Sequence, residues 1–204
     1  MIHINCVSED EPSLAVMQKM LDKFTGCFSI SQRTNAHGFA RIRSRIKAYN
    51  NAAAFAPYFI ITDLDKNECA PTLIRDWLGE PPNKNMLFRV AEREIESWLM
   101  ADRKNFAKFI GVSYEKIPFR PDEIKDPKGT LISLVKKSRN KALQTDMVPK
   151  NNSASIGPYY NAQLRNFILS SWDIQTAMGN SPSLLKAYLA LQKFAAEQVV
   201  GSGE

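Results

Sequence analysis

Carboxylates carry most of the chemistry this chain could do. Glu9 stands in the run Ser8-Glu9-Asp10-Glu11, Asp63 and Asp65 flank a single leucine, and Glu92 and Glu96 lie four positions apart. If Asp63-Leu64-Asp65 leaves a strand in extended form, both aspartates point to one side while Leu64 turns back to the core. Two carboxylates about 4 Å apart repel by roughly 4 kcal/mol at an effective dielectric of 20, so such a group takes up protons or holds a cation. The only histidines are His3 and His37, and Cys6, Cys27 and Cys69 are scattered and odd in number. That leaves no material for a His-rich metal site, a zinc site or a disulfide framework, and points to a hard cation on oxygen ligands. Mg2+ or Mn2+ suits it, since magnesium takes a few carboxylates together with waters and substrate phosphates. The same aspartates could instead form an Asx turn or cap the next helix, with Glu9 a solvated loop charge. Ser153 and Ser155 sit in a polar loop without a neighbouring histidine, so nucleophilic catalysis has no support.

The surrounding elements must bring these residues together. Residues 2–7 are short, apolar and β-branched and end in the acidic turn. Leu14, Met17, Leu21 and Phe24 then recur at helical spacing before Gly26. A weak strand at 27–30 is followed by a helix with Phe39, Ile42, Ile46 and Tyr49 inward and its arginines outward. Tyr58-Phe59-Ile60-Ile61-Thr62 is apolar without alternation, as a strand buried on both faces requires, and stops at Asp63. A helix over 71–78 and a strand over 86–90 complete the series. Alternating strands and helices predict an α/β fold: an open, mainly parallel four-stranded sheet with helices on both faces and its working groups beyond the carboxyl ends of the strands. After Ala91 the strand signals stop, and helices are expected over 92–109, 128–141, 159–169 and 183–200, with a frayed tail from Gly201 to Glu204. The expected division is an α/β core over 1–102 and a helical extension over 103–204 packed on it as one unit. Glu92 and Glu96 would share a helix face at the fourth strand's exit, either as ligands or as solvated charges paired with Arg89, Arg93 or Arg103, while Trp98 belongs to the core.

The 204 residues are 44% hydrophobic and 24% charged, enough for one globular core and too apolar for general disorder. No apolar run approaches the roughly 20 residues of a membrane span, and the start lacks the features of a signal peptide, so a cytoplasmic protein without a membrane partner is expected. A net charge of +6 and a pI near 9.2 favour a polyanionic partner such as nucleic acid. Arg41 and Arg45 on one helix face, or the crowded Lys136, Lys137, Arg139 and Lys141, could track a phosphate backbone, and Lys66 and Lys128 could meet a phosphate. Each group could equally be a solvated face. No motif for reading base edges is present, so any binding should be independent of sequence.

A glutamate after the first strand and an Asp-x-Asp after the third, about fifty residues on, resemble the Toprim domain, the metal-binding module of topoisomerases, bacterial primases and overcoming-lysogenization-defect nucleases. Ser8-Glu9-Asp10, Ile61-Thr62-Asp63-Leu64-Asp65 with Cys69-Ala70-Pro71, and the stretch from Arg93 to Asp102 are similar to an uncharacterised bacterial Toprim-like family. Some members of that family lie beside ATPases of mobile-element defence systems. Gly157-Pro158-Tyr159-Tyr160-Asn161 and Asn180-Ser181-Pro182-Ser183-Leu184 extend the similarity over most of the chain. The resemblance implies Glu9, Asp63 and Asp65 as the acidic catalytic positions and favours Glu96 over Glu92 as a second-metal ligand. It departs from the Toprim pattern where glycine commonly follows the glutamate, because here Asp10 and Glu11 do, leaving open which of the three faces the site. The function implied is Mg2+- or Mn2+-dependent phosphodiester chemistry on nucleic acid in a two-metal arrangement. The alternative is a non-catalytic module that partners an ATPase or senses a nucleotide.

Overall fold

Tyr58-Phe59-Ile60-Ile61-Thr62, apolar on both sides, becomes the inner strand β3 (Tyr58–Asp63), with Phe59, Ile60 and Ile61 wholly buried. The computed structural model describes residues 1–151 and 153–201. With β1 (Ile2–Ser8), β2 (Phe28–Asn35) and β4 (Met86–Ala91), it forms a four-stranded, all-parallel sheet in the order β2-β1-β3-β4. Register aligns Ser8 with Ile61 and Asp63 with Ala91, so β1, β3 and β4 end side by side.

Helix α1 (Glu11–Leu21) joins β1 to β2 on one face, and α2 (Phe39–Ala52) and α3 (Ala70–Leu78) cover the other. Strand alternation divides the core accordingly: Ile4, Cys6, Phe59 and Ile61 meet α1, while Val7 and Ile60 meet Ile42, Ile46, Leu73 and Trp77. The connections from β1 and β3 therefore leave for opposite faces. The crevice between their carboxyl ends is the topological switch point, where ligands of open α/β sheets bind.

After β4 come α4 (Ile95–Ala101), α5 (Arg103–Ile110), two short 3-10 turns, α6 (Pro127–Val135), α7 (Lys141–Met147), α8 (Tyr160–Ser170), α9 (Ile174–Met178) and α10 (Pro182–Gly201). Among the described residues no strand follows β4. These helices share the α1 side: Trp98, Leu131, Phe167 and Leu191 belong to the same buried cluster as Ile4 and Phe59. Among the described residues, no helix is long and apolar enough to cross a membrane.

Several elements differ from the sequence expectation for identifiable reasons. Strand β2 continues past Ile30 to Asn35 although Ser31, Gln32 and Arg33 are exposed. It is an edge strand paired with all of β1, and the ladder needs backbone groups rather than apolar side chains. Phe39 is 46% exposed, because it opens α2 before the inward stripe of Ile42 and Ile46. The helix expected over 128–141 is two, since Asn140 caps α7 by accepting from Leu143 N. α10 runs through Gly201, and 202–204 of the expected tail lie outside the described residues.

Phe167 of α8 is 1% exposed and stacks on Phe109 at 4.7 Å within the core shared with the sheet. Phe167→Ala should lower unfolding stability by roughly 3–5 kcal/mol, with far-UV dichroism and tryptophan fluorescence following one transition. Separate transitions for sheet and helices would contradict a single cooperative core.

Candidate functional site

The turn after β1 begins the site. Ser8 Oγ donates to Asp10 O, and Asp10 caps α1 by accepting from Ser13 N at 2.9 Å, which is the local reason for the polar run Ser8-Glu9-Asp10. Glu9, between them, turns to β3: its Oε1 accepts from Thr62 Oγ1 and, at 3.0 Å, from Asp63 N. Glu11 is exposed and accepts from Asn35. Of the three consecutive acids, Glu9 is the one that reaches the third strand.

Asp63 is held from two sides. Its backbone N–H goes to Glu9, and its Oδ1 accepts from Ile95 N, the start of α4, at 2.9 Å. The carboxylate thus caps a helix, though α4 rather than the next helix in sequence. Asp65 does not continue an extended exit. Leu64 is fully buried, and Asp65 turns into the left-handed region at φ 49°. Arg93, itself at φ 60°, holds that turn: Asp65 N donates to Arg93 O at 2.8 Å, and Arg93 Nη1 donates to Asp65 O and Asn67 O. Asp65 nevertheless remains close enough for its charge to act on Glu9.

Glu92 and Glu96 do not share a helix face, because the Arg93 turn delays α4 to Ile95. Glu92 lies in the loop with Arg93 Nε at 3.9 Å. Glu96 is 1% exposed: its Oε1 accepts from Tyr160 OH at 2.9 Å and lies 3.7 Å from Lys128 Nζ, while its Oε2 is buried without a hydrogen-bond partner. Lys128 also lies 3.7 Å from Glu94 Oε1, and its backbone N donates to Glu94 Oε2 at 2.8 Å. Trp98 is fully buried, with Nε1 donating to Ser183 Oγ.

Glu94 and Tyr160 were not singled out in the sequence as members of this cluster. A lysine in the first turn of α6, against the helix dipole, was a usable signal for an acidic partner such as Glu94. Tyr160 had no comparable signal, since its partner lies 64 positions away.

The remaining basic residues stay outside. Lys66 is exposed next to Asp65, and Arg41 and Arg45 are exposed on α2. The α2 amino end is close to the site, because Gly38 N donates to Glu9 O. Lys136 and Lys137 follow α6 at its far end, about 12 Å along the helix from Lys128. They lie on the other side of the sheet from α2, so one groove does not use both groups.

Electrostatically the cluster is strained. Burial, then the Glu96 and Glu9 charges, hold the Asp63 carboxyl well above its ordinary value. Burial also raises Glu9, against the hydrogen bonds from Thr62 and Asp63, with Asp65 and Asp10 adding to the rise. Glu96 is pushed up to about 7, chiefly by burial, with Lys128 opposing. Burial disfavours the Lys128 ammonium, but Glu96 and Glu94 more than offset it and leave its pKa above the ordinary lysine value. Among the described residues, no group of three or more His, Cys, Asp or Glu side chains is arranged to hold a metal ion. The donors present are carboxylate oxygens, the ligand type that hard cations such as magnesium take together with waters and phosphates.

No family model matches the chain, and neither the curated proteins nor the solved structures give a match.

The raised acids fix a sign for pH dependence. Between the ordinary value of 4.5 and about 7, folded Glu96 keeps a proton that the unfolded chain has lost. Its stabilising contribution is therefore full below 4.5 and is lost as pH rises through about 7. In chelator-treated buffer the melting temperature should fall across that window, and Glu96→Gln, which keeps an acceptor for Tyr160, should flatten the fall. An unchanged slope in the variant would remove Glu96 as its source.

Proposed function

We propose that the Glu9–Asp63 crevice holds Mg2+ or Mn2+ and that the protein carries out metal-dependent phosphodiester chemistry on nucleic acid. The observation that carries this reading is an under-neutralised carboxylate cluster, with Glu96 buried and Glu9 and Asp63 half-buried, at the switch point of a parallel sheet, with Lys128 its only paired ammonium among the described residues. A bound divalent cation would activate water and stabilise the leaving oxygen.

The chain's own groups supply the positioning. Thr62 Oγ1 and Asp63 N fix one oxygen of Glu9, and Ile95 N fixes one oxygen of Asp63. The second oxygen of each carboxylate is thereby oriented without a protein partner among the described residues. Lys128 would meet a phosphate oxygen, and exposed Arg41 and Arg45 of α2 and Lys66 after β3 would add contacts to a phosphate backbone. Contacts to phosphates of this kind position a backbone and carry no sequence information.

One observation favours a second reading. Asp63 already caps α4 and Lys128 already serves Glu94 and Glu96, as suits a preorganised, non-catalytic module that docks on an ATPase or senses a nucleotide.

Asp63→Asn separates the roles, because asparagine can still accept from Ile95 N but carries no charge. Calorimetric Mn2+ affinity should drop at least tenfold in the variant, and any nuclease activity, assayed with and without a partner ATPase, should fall by orders of magnitude. Without metal the variant should be as stable as the wild type or more so, through relief of like-charge repulsion. Equal Mn2+ binding in both proteins would reduce Asp63 to a cap and leave the docking module in front.

A further inference from the structure

Strand β4 is an edge of the sheet, and a cavity of about 350 Å3 opens beside its carboxyl end. Pro71 and Ile74 of α3 line it from one face of the sheet, and Ser183 and Lys186 of α10 from the other. Val90 and Glu92 line it as well, and they flank Ala91, the register partner of Asp63. The cavity therefore lies one strand outward of the Glu9–Asp63 crevice and shares none of its carboxylates.

Two cations in this cavity have no partner. Arg89 is half-buried on the sheet face it shares with Leu87 and Ala91, yet among the described residues its guanidinium makes neither a hydrogen bond nor an ion pair. Lys186, exposed near the start of α10, makes none either. The neighbouring acids are already engaged. Asp122 accepts from Ser181 Oγ at 2.7 Å through one oxygen and from Ser183 N at 2.9 Å through the other, and Glu92 stands 3.9 Å from Arg93 Nε. Burial lowers the Arg89 pKa, the direction that follows when a cation leaves water. A bound anion would restore the hydrogen bonds that burial removes.

The geometry points to a site for a terminal phosphate, on a free nucleoside monophosphate or on the 5′ end of a nucleic-acid strand, held by Arg89 and Lys186 with the nucleoside against Pro71, Ile74 and Val90. Two unpaired cations match the nearly two negative charges of a phosphomonoester, whereas an internal phosphodiester or a carboxylate carries one. The planar fork of an arginine meets two phosphate oxygens at once, and a lysine adds a point charge. The amino end of α3 lies at the same cavity, and its N-cap Cys69 makes no capping bond, so the helix dipole also favours an anion there. A volume at the low end of the roughly 300–1,000 Å3 of small-molecule pockets suits one nucleotide. Neither reading above assigns these residues a role, and binding here needs no metal.

Calorimetry on the full chain in chelator-containing buffer tests the site, with thymidine monophosphate, thymidine, and an oligothymidylate with and without a 5′ phosphate as probes. Thymidine monophosphate should bind and thymidine should not. Arg89→Gln and Lys186→Gln should each weaken that binding by roughly tenfold or more, with unchanged circular dichroism. Tighter binding of the phosphorylated oligonucleotide than of the mononucleotide would make a strand end the ligand, and the reverse would make it the free nucleotide. Failure of both phosphorylated probes to bind would overturn the site, as would equal affinities with and without the phosphate. Lys186 is exposed, so its variant decides even where Arg89→Gln does not fold: an unchanged affinity would remove the cavity as the binding place. With chelator present, none of these outcomes depends on whether the Glu9–Asp63 crevice holds a metal ion.

Discussion

Asp63 ties three elements together: its backbone N–H binds Glu9 at the end of β1, its own strand is β3, and its carboxylate receives Ile95 N at the start of α4. Everything else in the site is arranged around that double attachment. Leu64, directly after it, is buried against the α2–α3 side, so the chain must turn sharply. It does so at Asp65, in the left-handed region that costs a non-glycine residue about 1 kcal/mol or more. The guanidinium and carbonyl of Arg93 hold that turn, and Arg93 adopts the same unusual conformation in the neighbouring loop. Two strained residues bonded to each other across β3 and β4 fix where Asp63 and Glu94 stand. Backbone strain of this kind persists only when the surrounding contacts over-determine it.

Magnitudes show why the arrangement calls for a counter-charge. A hydrogen bond to a charged group contributes about 1.5–3 kcal/mol. Repulsion between two carboxylates at about 4 Å is roughly 4 kcal/mol at an effective dielectric of 20. Glu9, Asp63 and Glu96 act on one another or on common neighbours, and the one or two hydrogen bonds apiece only partly offset their burial and mutual repulsion. Burial, with neighbouring acids adding to it, accordingly raises the pKa values of all three. Lys128 relieves the α4 side, and among the described residues no ammonium is paired with Glu9 or Asp63. Proton uptake and cation binding are the two remaining ways to neutralise them.

The sheet was legible because its evidence is local: an unalternated apolar run can be satisfied only by a strand covered on both faces, as Phe59, Ile60 and Ile61 are. The meeting of Glu9 with the end of β3 followed from parallel topology and was legible for the same reason. The extended exit at Asp63-Leu64-Asp65 failed because residue spacing says nothing of a φ set by a partner 28 positions away, Arg93. Glu96 could be chosen as an acidic candidate, but its ammonium and its phenol come from α6 and α8. Those helices reach the site only by packing on the α1 face of the sheet, which no local pattern encodes. The polar half of β2 was missed because an edge strand draws its pairing from the backbone of β1.

Anomalous diffraction from crystals of this chain grown with Mn2+ tests the central claim most directly. The account predicts a manganese peak within coordination reach of carboxylate oxygens of Asp63 and Glu9, with Lys128 still seated between Glu94 and Glu96. Crystals with no peak in that crevice, and with Asp63 bonded only to Ile95 N, would contradict it.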